Sequence, residues 1–373
     1  MKKTLIAFAA LTAIAGAAQA QSTVTLYGVA DAYAGQKSTT VGGVKLKQTV
    51  IDSNGLNTSR FGFRGTEDLG SGLKAIFTME SGLTIDNGAA NANGGGLFSR
   101  QAFVGLSGNF GTATLGRQYT AFDALRAATN NSYDATYFAT TSRIFANGVA
   151  DYASRASNSF AYASPVYSGF SGAFVLAGGE DKANANPAIA GSVAVKASRN
   201  NSFHVKYANG PVLVGYAFQN EKFNAASTSI ANLTPANTAT GDRTYNLFAG
   251  SYDFGVAKVT GGYQLAKQER SSPTAPAAAA AVNGNGRDKE YQLGVSAPFG
   301  AATVAAGYSR SKADNSSRRA TGYSLLGTYD LSKRTRLYAG GVSEKYSGNT
   351  GATAVAAGLT RSSGVVAGVR HAF

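Results

Sequence analysis

Four short alternating runs each set basic side chains apart from aromatic ones. In Ser59-Arg-Phe-Gly-Phe-Arg-Gly65, Phe61 and Phe63 share one face of an extended chain and Arg60, Gly62 and Arg64 the other. In Lys74-Ala-Ile-Phe-Thr-Met-Glu80, Phe77 and Met79 oppose Lys74, Ile76, Thr78 and Glu80. Phe103 facing apolar surroundings puts Ala102, Val104 and Arg100 on the water side, although Phe98, at the loop end, is in phase with Arg100. Phe160 and Tyr162 do the same for Arg155, Ser157 and Ser159. A file of guanidinium groups facing water attracts anions, and such like charges persist best beside a counter-charge or a passing anion. A wall of merely solvated side chains is the plainer account. Covalent chemistry has little to work with. There are two histidines, no cysteine and no G-x-S-x-G elbow. His204 shares a face with Lys206 and lacks an obvious Ser–acid pair, so no catalytic set, metal ligand set or cofactor motif is read.

Strands must carry these side chains. Period two runs from Val24 to the end, as in Phe203, Val205 and Tyr207 against His204 and Lys206, or Tyr291, Leu293 and Val295 against Gln292, Gly294 and Ser296. Sixteen such segments of about ten residues are read. Short turns such as Asp68-Leu-Gly-Ser-Gly72 and Pro298-Phe-Gly300 alternate with long polar stretches at 36–55, 83–96, 181–199, 223–241 and 270–286. The last contains a Pro- and Ala-rich tract from Pro273 that reads as loop or short helix. An even strand number with short turns at one end and long loops at the other predicts a 16-stranded antiparallel transmembrane β-barrel. Hydrocarbon tolerates no open edge, so the sheet closes, and sixteen strands leave an aqueous bore. Tyr27, Tyr207, Tyr252 and Tyr329 near strand ends suit an aromatic girdle. One stretch, 119–155, shows neither sustained alternation nor a helical stripe. Long unpatterned stretches usually have a function, and this one is expected to fold into the bore.

Residues 1–20 have Lys2 and Lys3, an apolar core and Ala18-Gln19-Ala20, the pattern of a secretory signal peptide. The expected organisation is a signal peptide at 1–20 and a barrel over 21–373. No later run is long and apolar enough for a transmembrane helix. With 46 glycines, 7 prolines and no cysteine, an exported chain must be held by strand pairing instead of disulfides. The net charge of +14 is scattered instead of blocked, which together with export argues against nucleic acid as a partner.

Several motifs resemble the general trimeric porins of Gram-negative bacteria, in particular the neisserial and β-proteobacterial branch. They are Val24-Thr-Leu-Tyr-Gly-Val-Ala-Asp31, Ser59–Gly70, Ser99-Arg-Gln-Ala-Phe-Val-Gly-Leu106, Leu115-Gly-Arg-Gln-Tyr119, Asn158-Ser-Phe-Ala-Tyr162 and Gly368-Val-Arg-His-Ala-Phe373. They span the chain in order. The ending resembles the terminal signature of outer-membrane barrels, which implies that Phe373 is read by the barrel-assembly machinery and that His371 faces lipid or an interface. The family implies an outer-membrane homotrimer embedded in lipid and lipopolysaccharide, passive diffusion of small hydrophilic solutes, and a third long loop that narrows the bore. It also implies a basic ladder. Arg60, Arg100 and Arg155 occupy its motif positions, and Arg64 and Lys74 match less closely. In enteric relatives the loop opposes the ladder with acids. Here the match holds for Phe122-Asp-Ala-Leu125, giving Asp123; Asp134 and Asp151 follow, offset by Arg126 and Arg143. A nearly neutral loop facing arginines implies preference for small anionic solutes. Arg117 in Gly-Arg-Gln-Tyr is left between pore lining, subunit interface and loop anchoring. Glu80 and Asp31 face inward and are read as salt-bridge partners of the ladder. Tyr119, Tyr133 and Tyr137 pack the loop or stack sugars. A substrate-specific anion channel and a surface adhesin or antigen on the same barrel are the competing functions.

Overall fold

The computed structural model describes residues 23–90, 96–130, 137–146, 149–179, 197–224, 240–271, 286–314, 317–348 and 358–373. The expected signal peptide and the Pro273 tract lie outside them. Seventeen strands form one antiparallel sheet: β1 (Thr23–Val41), β2 (Val44–Ser53), β3 (Arg60–Gly70), β4 (Leu73–Gly82), β5 (Gln101–Gly108), β6 (Gly111–Tyr119), β7 (Arg155–Ala163), β8 (Phe170–Gly178), β9 (Arg199–Asn209), β10 (Val212–Asn224), β11 (Thr240–Asp253), β12 (Lys258–Ser271), β13 (Gly286–Phe299), β14 (Ala302–Ala313), β15 (Arg319–Asp330), β16 (Thr335–Ser347) and β17 (Leu359–Ala372). Each pairs with its chain neighbours, except that β2 and β3 both pair with β1 and not with each other. β17 returns to β1, and backbone bonds of 3.0 and 3.1 Å between Gly28 and Phe373 complete the closure.

The sixteen-strand barrel holds as sixteen staves, because β2 and β3 share one. β1 pairs with β3 over Thr23–Val29 and with β2 over Ala32–Val41. The polar stretch 36–55 is therefore a hairpin extension, not a loop. β2 is exposed along most of its length, so nothing demands an apolar face there and the period-two signal is missing.

Residues 54–59, between the two half-staves, are gathered by one buried carboxylate. Asp31 accepts the backbone N–H groups of Gly55 (2.9 Å), Leu56 (2.8 Å) and Asn57 (2.7 Å) and the Tyr338 hydroxyl (2.6 Å). It is thus a backbone clasp and not the ladder counter-charge expected. Asp31→Ala would strand these donors in a buried site at about 1–3 kcal/mol apiece. We expect a loss of at least about 3 kcal/mol, read as a lower unfolding midpoint in detergent.

Alternation sets the two faces of the wall. Leu26, Leu115, Leu293 and Val365 point outward, with Leu115 60 % exposed and Val365 70 %. A soluble sheet would bury such a band, and lipid explains it. The inner phase is small or polar, for example Ser202 and His204 on β9 and Asp288, Glu290 and Gln292 on β13. The turn from β3 to β4 shows how tightly the short end is made. Ser71 (φ 52°) and Gly72 (φ 78°) both take the left-handed conformation that a two-residue hairpin loop requires.

Candidate functional site: a basic wall and the loop facing it

After β6 the chain leaves the wall and forms α1 (Ala121–Ala128) and α2 (Thr141–Ile144) before rejoining it at β7. The helix α1 was not visible as a stripe in the sequence, but its start was encoded. Thr120 is extended and its hydroxyl accepts the Asp123 N–H (3.2 Å), a helix N-cap with an acid in the first turn. Its buried side, Phe122 and Leu125, packs on Ala217, Tyr245, Leu247 and Ala249 of the inner wall. Fully burying two such side chains stabilises by roughly 1.5–3 kcal/mol each.

The inner wall holds the loop by its backbone. Ser202 Oγ accepts the Ala121 N–H (3.0 Å), and His204 Nδ1 donates to Ala121 O (2.7 Å). Asp288 accepts the Val149 N–H (2.7 Å) and Glu221 the Ala153 N–H (2.6 Å), while Tyr245 donates to Ala150 O (2.7 Å). Farther round, Gln292 donates to Thr129 O, Thr140 bonds Ser309, and Tyr137 N–H reaches Gly55 O. Phe138 inserts among Tyr33, Leu326, Tyr338 and Val366. The loop thus touches the inner wall from β9 round to β17 and β1. The anchors are outside the sequence reading, yet alternation alone sets Asp288 and Gln292 opposite Tyr291.

Loop charges are matched in pairs. Arg126 is buried and meets Asp151 through two bonds, 2.5 and 2.9 Å, with its guanidinium over the Tyr152 ring (4.6 Å) and the Phe145 ring (5.1 Å). Burial alone would lower its pKa; Asp151 outweighs that and raises it. Arg143 pairs with Glu344 of β16 (2.5 Å). Asp123 accepts the Tyr152 hydroxyl (2.7 Å); burial first, and Asp123 second, keep that phenol protonated. Asp134 and Tyr133 lie outside the described residues.

On β3–β7 the arginines form a connected chain. Glu80 takes Arg100 Nε at 2.7 Å, Arg60 Nε at 3.3 Å and the Tyr27 hydroxyl at 3.0 Å. The Tyr119 hydroxyl accepts from Arg100 (2.6 Å) and Arg155 (2.7 Å), and Arg155 stacks on the same ring at 4.4 Å. Arg64 lies over Tyr27 at 5.2 Å. Tyr27, expected in the aromatic girdle, turns inward to Glu80 instead, and Tyr119, expected to pack the loop or stack sugars, bridges Arg100 and Arg155; neither was read as part of the ladder. Nor was Arg370, which stands opposite Asp31 on β17 while Arg60 stands opposite Val29, so the two flank β1.

Three expectations are corrected. Phe103 pairs with Thr78 and Gly116 on the inner phase, and Val104 and Leu106 are the exposed side chains. A facing glycine leaves room for an inward ring, so an aromatic does not fix the phase here. Arg100 meets Glu80 because it precedes β5, where alternation has not begun. Ser157 is also out of phase. An extra residue bulges β7 at Asn158 (φ 52°), so Ala156 is buried beside Ser159 and Ser157 accepts Arg117 Nη1 (2.7 Å). Arg117 stands opposite Ala102 on the outward phase and also donates to Ser99 O (2.6 Å). Lys74 shares Glu80's phase but sits six residues away beside the short turn, about 20 Å along the strand, opposite Asp68 and Ser107. It is not part of the chain of arginines.

The described geometry matches known proteins. A family model described as Gram-negative porin matches residues 7–349. Outer membrane porin protein 32 of Delftia acidovorans is 33 % identical over the full length of both chains. Among solved structures, an anion-selective porin from Comamonas acidovorans superposes with a TM-score of 0.72 at 28 % identity, covering 95 % of this chain and all of that one. The outer membrane protein OmpT of Vibrio cholerae, solved in trimer form, superposes at 0.65 over 94 % of this chain and 99 % of its own, and at 17 % identity it shows the fold alone.

Proposed function

Because the chain belongs to the Gram-negative porins of the outer membrane, which are channels and not enzymes, we propose that it is a general diffusion channel that favours anions. Its constriction lies between residues 120–154 and Arg60, Arg100 and Arg155, with Arg64 and Arg370 adding positive field. One observation carries this reading. Among the described residues, Glu80 is the acid that contacts the ladder, while the other inner and loop acids are spent elsewhere: Asp31, Glu221 and Asp288 on backbone N–H groups, Asp151 and Glu344 on loop arginines, Glu290 on Gln264 and Asp123 on Tyr152. These carboxylates are buried or partly buried, whereas Arg64 is exposed and Arg60 keeps 27 % of its side chain exposed. Fixed positive charge in a low-dielectric passage concentrates anions. The Comamonas relative is an anion-selective porin, which supports the same reading.

Assembly as a homotrimer is proposed on the family and on the trimeric relative. Arg117, outward and half-buried, is placed at that interface and not in the pore. The Phe373 strand is proposed as the element recognised during barrel assembly. The expected measurement is a reversal potential of anion sign across a planar bilayer under a salt gradient, with liposome swelling rates that fall smoothly with sugar size. A cation-signed potential would overturn the selectivity, and a sharp preference for one solute would favour the substrate-specific alternative.

A further inference from the structure

A cavity of about 290 Å³ lies at the loop end of the wall, where β7, β8, β9 and β10 meet. It exists because β7 loses a neighbour. The strand begins at Arg155, but its pairing with β8 stops at Ser159, opposite Ala177. Above that point β7 keeps only β6 beside it. The lining takes both phases of the sheet. Ala177, Asn200 and Glu221 stand directly opposite one another on the inner phase, and Gly178, Arg199 and Lys222 do so on the outer. The cavity therefore crosses the wall, from the side of Arg155 to the outside.

Its polar groups are incompletely met. Arg155 Nε and Asn200 Oδ1 are buried with no hydrogen-bond partner, although Arg155 bonds Tyr119 through Nη2. A buried donor or acceptor left in that state is destabilising. Arg199 stands directly opposite Lys222, and like charges across a strand pair are unfavourable. Lys222 is 3.4 Å from Asp242, a partly exposed pair. Glu221, the acid in the lining, is engaged. Its carboxylate accepts the Ala153 N–H (2.6 Å) and the Gln219 side chain (2.8 Å), with Arg243 at 3.7 Å. The cavity is left with positive charge on each side of the sheet, an unmet donor and an unmet acceptor.

We propose that this cavity binds a free acidic amino acid the size of glutamate. Two carboxylates match the cations on the two sides of the sheet, Arg155 within and Arg199 with Lys222 without, through charge-assisted bonds. The α-ammonium matches Asn200 Oδ1, an acceptor that a plain dicarboxylate has no donor to satisfy. Size agrees, since the cavity of about 290 Å³ equals about ten water volumes and glutamate has about ten heavy atoms. Charge agrees too, because the ligand is a net monoanion and the lining is net cationic. The use of the site rests on the channel reading: solute held there waits beside Arg155, at the edge of the ladder.

The test uses the folded barrel in uncharged detergent, with radiolabelled L-glutamate as probe and equilibrium dialysis as readout. Saturable binding is expected. Glutarate lacks the ammonium and glutamine lacks the second carboxylate, so each should compete about fivefold less well. That factor, about 1 kcal/mol, is what a unit charge about 4 Å away contributes even in water. Arg199→Gln with Lys222→Gln removes two charges and should weaken glutamate at least about tenfold. Gly178→Leu should abolish binding, because a side chain added there meets nothing within 4 Å and takes up the cavity without pressing on the wall. Heat-modifiable gel mobility checks that each variant is folded, and the ligand series needs no variant at all. Absence of saturable binding, either analogue competing as well as glutamate, or wild-type affinity in both folded variants overturns the proposal. Reversal potentials in potassium chloride should be unchanged in these variants. A cation-signed potential would overturn the channel reading and leave the dialysis result standing, so the two failures are separable.

Discussion

Arg60→Gln, Arg100→Gln and Arg155→Gln in one chain should abolish anion preference, lowering the anion-to-cation permeability ratio about fivefold or more. The magnitude follows from Coulomb's law, since a unit charge about 4 Å from a passing ion is worth about 1 kcal/mol even at the dielectric constant of water. Three such charges along one path exceed that unless the mobile ions screen them. Screening supplies an internal check. The Debye length falls from about 10 Å at 0.1 M salt to about 3 Å at 1 M, so wild-type preference should shrink with salt while the triple variant changes little. Glu80→Gln should move in the opposite direction. It removes the carboxylate shared by Arg60 and Arg100, so the wall gains positive charge and the anion preference rises. A reversal potential unaffected by the triple substitution would place selectivity somewhere other than the Glu80 chain.

The same residues show how far a sequence can be read. Lipid imposes a strict period of two, so the staves were legible from Phe61, Phe63, Leu293 and Val295 without any relative. Legibility stopped where lipid stopped. β2 is exposed along most of its length, so nothing there had to alternate. At β5 and β7 the phase was lost for local reasons. Phe103 faces Gly116, and the Asn158 bulge inserts one residue, so an unbroken alternation from Phe160 misplaces Ser157. Arg60, Arg100 and Arg155 still come together because strand ends bring side chains of either phase to one rim, where Glu80 and Tyr119 gather them. The charge pairing was legible only in part. Sequence showed that Arg126 and Arg143 offset the loop acids, but it could not show that Arg143 turns to Glu344, 201 residues later.

Holding the loop against the far wall should depend most on Arg126. Its side chain is 4 % exposed and Asp151 19 %, and each satisfies the other through two bonds. Arg126→Ala removes the guanidinium that pairs with Asp151 and empties the space between the Tyr152 and Phe145 rings. Breaking one side of a buried pair costs about 3–5 kcal/mol, which is comparable with what Phe122 and Leu125 contribute by burial. The barrel itself keeps its strand pairing, so the cost should fall on residues 120–154. The expected result is a larger and noisier single-channel conductance with a nearly unchanged unfolding midpoint of the barrel. A rescue separates charge from packing. Arg126→Met with Asp151→Leu replaces both ions by apolar groups of similar size, a change that is often neutral or stabilising for buried pairs. The double variant should recover quiet, wild-type conductance. If Arg126→Ala already conducts like wild type, the anchors at Phe122, Phe138 and His204 suffice and the ion pair is dispensable. If the double variant stays as noisy as the single, it is the pair's directed bonds, and not the filling of the space, that keep the loop on the wall.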